Sequence, residues 1–247
     1  HVTIRIDMPQ SQPIASRYHP MRQETATFRR SRRWPVTACA AFAMLGPAVG
    51  AEQVFDFDVN LDRRPIGTHQ FTLSRLDDGT VNIRSNASFD VRFLGIPAYR
   101  YRHQAVESWQ GDCLTNIDAT TDDNGRSLRV TGLQREGRFV LAQPAVTAIP
   151  GCLSAYAYWN RDLLLRQSAL LNPQTGRLDP LRVESLGRET LEMRGKPVPA
   201  DRYRLHAAQN TIDLWYTLRG DWLRLESLTG SRRLIYRLRE NPAGMAR

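Results

Sequence analysis

The feature that most constrains this chain is the one-by-one alternation of apolar and polar residues. In Val54-Phe55-Asp56-Phe57-Asp58-Val59, Phe55, Phe57 and Val59 share one face and Asp56 and Asp58 the other. A period of two with one wet side is the signature of a half-buried strand. His69, Phe71 and Leu73 oppose Thr68, Gln70, Thr72 and Ser74, and Ala87, Phe89, Val91 and Phe93 oppose Asn86, Ser88, Asp90 and Arg92. The pattern returns at Tyr203 and Leu205, at Ile212, Leu214, Tyr216 and Leu218, at Leu223 and Leu225, and at Leu234, Tyr236 and Leu238. Turn residues separate the runs: Asp62-Arg63-Arg64-Pro65, Asp77-Asp78-Gly79, Leu94-Gly95-Ile96-Pro97, Gly111-Asp112 and Asp122-Asp123-Asn124-Gly125. Strand, turn and strand at such short spacing predicts an antiparallel barrel or curved half-barrel, not βαβ units.

One stretch departs from the pattern. Over residues 153–171, Tyr156, Trp159, Leu163 and Leu170 recur at helical intervals, and Asn172-Pro173-Gln174-Thr175-Gly176 then stops the run. This spacing predicts one substantial helix, packed across an open side of the sheet. With no internal repeat and no long linker, residues 52–247 read as a single β-rich domain.

The front of the chain has a different character. Residues 1–20 follow neither period and read as an upstream extension. From Met21 a basic region (Arg22, Arg29, Arg30, Arg32, Arg33) leads into the apolar run Val36 to Leu45 and a small-residue end, Gly46-Pro47-Ala48-Val49-Gly50-Ala51. That order is that of a secretory signal peptide over residues 21–51, cleaved after Ala51. The apolar run, about 15 Å long as a helix, covers half the hydrocarbon thickness of a bilayer. A lipoprotein cleavage at Cys39 would need an apolar stretch ahead of it, where Trp34-Pro35 and arginines stand. Ser31-Arg32-Arg33 is not followed by the apolar residue a twin-arginine signal requires. The expectation is a periplasmic protein with no membrane span in the mature chain, peripheral to the envelope at most.

Charge and cysteine content follow that division. The full chain carries 34 Lys+Arg against 25 Asp+Glu, but seven of the arginines precede residue 52, which leaves 27 basic against 23 acidic residues after it. No basic run there exceeds two residues, so nucleic acid is not an expected partner. Cys113 and Cys152 are the two cysteines left, and an even pair in an oxidising compartment predicts one disulfide. Two thiols so far apart, without a neighbouring histidine pair, predict no metal site.

No catalytic motif is found: Gly151-Cys152-Leu153-Ser154-Ala155 has its serine in the wrong place for a nucleophile elbow. Asp122-Asp123-Asn124-Gly125 reads as a hairpin turn, because a calcium loop ending at Gly125 would place threonines where carboxylates belong. Among the histidines, His206 shares a face with Arg202 and Arg204 and reads as solvated, and His69 as a hydrogen-bonded core residue. The informative strand is 99–109, where Tyr99, Tyr101, His103, Ala105, Glu107 and Trp109 share one face and Arg100, Arg102, Gln104, Val106, Ser108 and Gln110 the other. An inward aromatic face carries a histidine and a carboxylate with it, and a buried charge costs several kcal/mol unless it is paired or its surroundings are wet. Four residues of strand span about 13 Å, so His103 and Glu107 cannot touch. Either both line a hydrated lumen, or they sit at a rim bonded to arginines of neighbouring strands.

Tyr101-Arg102-His103 with Glu107 and Trp109, Gly151-Cys152, Ala157-Tyr158-Trp159-Asn160, and Leu170 to Gly176 together resemble a family of exported bacterial proteins of unknown function, over most of residues 53–240. The resemblance implies export and a β-rich fold and carries over no catalytic residue. At the level of architecture alone, the chain is similar to the curved half-barrels of periplasmic lipoprotein carriers. The reading is a binding module for an apolar or amphipathic small molecule of the envelope, without cofactor, its ligand contacts drawn from Tyr99, Tyr101, His103, Glu107, Trp109, Tyr156 and Trp159. An enzyme using His103 and Glu107 for acid-base chemistry, and an assembly partner of envelope proteins working through an exposed strand edge, are the alternatives.

Overall fold

A computed structural model describes residues 52–93, 96–208, 210–229 and 231–239. The predicted extension and signal peptide lie outside the described residues, as does the Leu94-Gly95 part of one predicted turn. The chain runs β1 (Gln53–Leu61), β2 (Arg64–Arg75), β3 (Thr80–Phe93), β4 (Ile96–Gln110), β5 (Cys113–Asp123), β6 (Arg126–Arg135), β7 (Arg138–Gln143) and β8 (Thr147–Pro150). A short helix, α1 (Arg161–Leu164), precedes β9 (Ala169–Leu171), β10 (Leu178–Met193), β11 (Lys196–Ala207), β12 (Asn210–Tyr216), β13 (Trp222–Thr229) and β14 (Arg232–Leu238). All 14 strands form one antiparallel sheet in the order β8-β7-β6-β5-β4-β3-β2-β1-β14-β13-β12-β11-β10-β9. Two meanders, β1 to β8 and β9 to β14, are therefore joined where the first strand pairs with the last, Phe57 opposite Leu238 and Leu61 opposite Leu234.

By its pairing the sheet is open, with β8 and β9 as edges, yet it curls strongly. The Leu114 N–H at the start of β5 donates to the Leu153 carbonyl at 2.8 Å, and the Tyr216 hydroxyl at the end of β12 donates to the Tyr158 carbonyl at 2.9 Å. Five residues of chain span at most about 18 Å, whereas seven flat strand-to-strand steps from β5 to β12 come to about 34 Å. The curl brings the two edge regions toward each other. Residues 153–155 lie between them, the Ser154 carbonyl accepting from the Leu171 N–H of β9 at 2.8 Å and Ala155 bridging Leu171 in parallel.

The predicted long helix is not there; α1 has four residues. The helical spacing of Tyr156, Trp159, Leu163 and Leu170 arises from a chain that follows a different rule. Leu153, Ser154 and Ala155 are all buried, at 5%, 2% and 0% exposure, buried Ala157 then lies between the partly exposed Tyr156 and Tyr158, and the Leu153 and Ser154 carbonyls, which a helix would use internally, go to β5 and β9. Only where Asn160 caps the Leu163 N–H, with its side-chain oxygen at 3.1 Å, does a single turn form. This segment crosses the concave side of the sheet and is tied to β5 by the Cys113–Cys152 disulfide, whose Cα atoms are 5.0 Å apart.

The alternation in the sequence is the division between concave and convex faces. Phe55, Phe57, Phe71 and Leu73 of β1 and β2 are buried inward, with Trp222 from β13 against them, its ring centroid 4.3 Å from that of Phe57. Gly67 carries a positive φ of 152°, and a Cβ there would fall 1.8 Å from the Ser88 carbonyl oxygen, so the tight approach of β2 to β3 admits no side chain. The convex face is not uniformly wet. Asp213 and Trp215 of β12 are buried beneath a polar layer: Arg202 and Arg204 bond Asp213, the Trp215 indole N–H donates to Glu189, and the Arg202 and Arg224 guanidinium groups lie 4.8 and 5.2 Å from the Trp215 ring. Stacked guanidinium groups exclude water from the indole while keeping their charges hydrated at the edge.

Candidate functional site

Strand β4 presents the face expected of it. Tyr101, His103, Ala105 and Trp109 are buried, Tyr99 and Glu107 are partly exposed, and Gln104 and Val106 face outward. Register places these groups in rows across the concave face. Phe57, His69, Ala87, His103 and Thr121 form one row from β1 to β5, and Gly67, Phe89, Tyr101 and Asp123 the row above it. Below them run Phe71, Ser85, Ala105 and Ala119, then Leu73, Ile83, Glu107 and Ile117. Small side chains, Ser85, Ala87, Ala105 and Ala119, thus floor the space between a histidine and tyrosine end and a glutamate and tryptophan end.

The first end is a hydrogen-bonded cluster. His69 is stacked on Phe71 with centroids 4.1 Å apart, and its ring nitrogens lie 3.3 Å from the Tyr236 hydroxyl and 2.7 Å from Ser85 Oγ. His103 Nδ1 lies 2.9 Å from Thr121 Oγ1. Burial pushes the His69 imidazole well below its usual range, with His103 adding to the effect. Burial likewise holds His103 down to about 4, against a smaller opposing effect of the Thr120 backbone. Both rings are therefore neutral at pH 7 and serve as a donor and an acceptor each. The hydroxyls of Tyr101, Tyr158 and Tyr236 are raised by burial and remain protonated.

Glu107 forms the other end. Its neighbours along and across the sheet, Ala105, Trp109, Ile83 and Ile117, are each 3% exposed or less, yet Glu107 itself keeps partial exposure. His69 and Ser85 on the same face also keep partial exposure, so the concave face is not sealed along its length. The Trp109 indole N–H donates to Glu107 Oε2 at 2.9 Å. Among the described residues no arginine, lysine or histidine reaches the carboxyl group, so the arrangement in which rim arginines pair with it does not occur. Burial pushes Glu107 up to about 7, and the Trp109 hydrogen bond only partly offsets this.

The crossing segment supplies the opposite wall. Trp159 meets Trp109 edge-on with centroids 5.9 Å apart, and its indole N–H is buried without a partner. Tyr156, predicted to share a helix face with Trp159, instead donates to Asp179 at 2.7 Å, and its ring neighbour is Tyr158, which reaches Trp222. The structure thus brings Glu107, Trp109 and Trp159 together and sets Tyr101 and His103 in the histidine cluster. Tyr99 stands apart, its hydroxyl bonded to Asp123 at the β5–β6 turn. Tyr158, Tyr236 and Asp179 belong to the site although the sequence reading omitted them. Tyr236 could have been found from its alternation with Leu234 and Leu238. Tyr158 and Asp179 had no such signal, because their placement depends on the crossing segment. His103 and Glu107 are not joined by any hydrogen bond, and among the described residues no group of three or more His, Cys, Asp or Glu side chains is placed to hold a metal ion.

A family model described as a domain of unknown function, DUF6134, matches residues 57–239. The chain belongs to this family. Among solved structures it is similar to a β-barrel-like protein of the domain of unknown function DUF1849 from Brucella abortus, with a TM-score of 0.57 and 10% sequence identity over 76% of this chain and 95% of that one. At that identity the likeness is one of fold. No match was found among curated proteins. The open 14-stranded sheet and the barrel-like neighbour agree on a curled antiparallel architecture.

Proposed function

We propose that this protein is an exported binding module that takes an apolar or amphipathic small molecule of the cell envelope into the space between β2 to β5 and the crossing segment. The observation that carries the reading is Glu107, a carboxyl group that keeps partial exposure although Ile83, Ala105, Trp109 and Ile117 around it are buried. A polar group without a charged partner in such a place is costly to the fold, and a site for a ligand offsets the cost with function. The surroundings suit an amphipathic occupant: aromatic rings and a small-residue floor for an apolar body, tyrosine hydroxyls and two neutral imidazoles for polar ends. The disulfide between Cys113 and Cys152 fits an oxidising compartment, in keeping with periplasmic export.

The test uses an uncharged naphthylamine fluorophore titrated into the folded protein, following its emission and the quenching of tryptophan. Saturable binding is expected. Trp159→Ala is expected to weaken it by tenfold or more, and Gln104→Ala, on the convex face of the same strand as Glu107, to leave it unchanged. Absence of saturable binding, or equal loss in both variants, would overturn the proposal.

A further inference from the structure

We infer that the Glu107 end of this space is a subsite for a positively charged ammonium group, which makes the occupant an organic cation with an apolar body. The inference rests on the binding reading above and names the chemistry of one end of the ligand.

Three observations meet at this point. One oxygen of the Glu107 carboxyl is held by the Trp109 indole N–H, and the other has no hydrogen-bond partner among the described residues. That free oxygen is also not sealed away: among the described residues the buried side-chain atoms lacking a partner are Gln134 Oε1, Trp159 Nε1, Arg202 Nε and Arg224 Nε, and no Glu107 atom is among them. It therefore faces accessible space with an acceptor to offer. The Trp109 ring that holds it is fully buried, and the Trp159 ring, which keeps partial exposure, packs against Trp109 at an interplanar angle of 80°. A carboxylate with a partly exposed indole close by is complementary to an ammonium group, which gains Coulombic attraction from the first and attraction to the Trp159 ring face from the second. An anionic head would meet the carboxylate with like charge and no cation to relieve it. A neutral head would leave the free oxygen without an ionic partner in a water-poor site.

A carboxyl held near pH 7 by burial adds a dependence on pH. A permanently charged ligand selects the ionised form, so its affinity follows the ionised fraction, which rises about tenfold between pH 6 and pH 8 for a group titrating near 7.

The experiment compares three molecules with one ten-carbon tail, decyltrimethylammonium, 1-decanol and decanoate, below their aggregation concentrations, by tryptophan fluorescence and calorimetry. At pH 8 the wild-type protein is expected to bind decyltrimethylammonium at least tenfold more tightly than 1-decanol, and decanoate more weakly than either. From pH 8 to pH 6 the affinity for the cation should fall about tenfold while that for 1-decanol stays constant. Glu107→Gln should abolish both the preference and the pH dependence, with a far-UV circular dichroism spectrum matching wild type to report that it is folded, and Gln104→Ala, on the convex face, should keep both. Equal binding of all three molecules by the wild type, or a preference for decanoate, would overturn the cation subsite and leave the binding reading standing. Failure of every one of them to bind would overturn the binding reading itself.

Discussion

Replacing Glu107 with Gln tests the buried carboxyl through stability alone. The native protein keeps a proton on Glu107 up to about pH 7, whereas the unfolded chain releases it near 4.5. Between those two values the native state binds more protons than the unfolded state, so this group makes the fold less stable as pH rises, and the loss is complete above the native value. The gap corresponds to about 3 kcal/mol at 1.36 kcal/mol for each tenfold change in the equilibrium. Glutamine keeps the shape and the acceptor for the Trp109 N–H but cannot ionise. The two proteins should differ by no more than about 1 kcal/mol at pH 5, and the Gln variant should be more stable by about 3 kcal/mol at pH 8. His69 and His103 act in the opposite sense. Their native values lie below 6.5, so the stability they confer is present above that pH and lost as pH falls toward 4 and below. That contribution is common to both proteins and cancels in the difference. Urea unfolding followed by tryptophan emission at pH 5, 6, 7 and 8 supplies the measurement. A difference that does not change with pH, or a Gln variant less stable than wild type at pH 8, would refute the placement of Glu107.

Other consequences can be measured independently. Removing the disulfide with Cys113→Ser and Cys152→Ser frees a loop with 39 residues of separation. On the chain-entropy model this should cost roughly 4 kcal/mol, visible as a melting temperature lower by several degrees, and an unchanged melting temperature would mean that the crossing segment is held by its other contacts alone. Gly67→Ala should destabilise the fold by more than about 2 kcal/mol, because its methyl group would meet the Ser88 carbonyl in the β2–β3 ladder; chemical denaturation reads the loss directly. Trp215→Ala should cost about 3 kcal/mol despite lying on the convex face, since it uncovers a strand buried on both sides, and a loss under 1 kcal/mol would show that the arginine layer does not protect it. N-terminal sequencing of exported protein should begin at Glu52, and a start at Cys39 carrying acyl chains would contradict a soluble periplasmic form.

Much of the sheet was legible because alternation needs only local sequence. Val54 to Val59 and the 99–109 face read correctly to the residue, since a strand with one wet side writes its register into every second position. The turn at Asp122 to Gly125 was equally plain, Asn124 and Gly125 both taking the positive φ that such a turn requires, whereas those at Glu136-Gly137 and Arg194-Gly195 went unread. Strand β10 was hidden for two reasons. Most of its residues are exposed, and the register shifts between Ser185 and Gly187, so Leu181 and Leu191, an even number of positions apart in the sequence, do not share a face. The crossing segment was misread because Tyr156, Trp159, Leu163 and Leu170 mimic a helical stripe. The small residues Ala155 and Ala157, which a helix would also tolerate, carry the alternation that in fact governs it. Its hydrogen bonds to Leu114 and Leu171 reach far away in sequence, and no local pattern encodes them. For the site, the inward face of β4 was readable and the isolation of Glu107 was not. Whether a neighbouring arginine reaches a buried carboxyl depends on the curl of the whole sheet.

The central claim, that the concave face holds a small molecule, is tested most directly by native mass spectrometry of the protein purified without detergent from the periplasm. The account predicts a population heavier than the polypeptide by the mass of one small molecule, released by organic solvent as an amphipathic compound and absent from Trp159→Ala purified in parallel. A single species at the mass of the polypeptide, which also fails to take up the naphthylamine fluorophore, would contradict it.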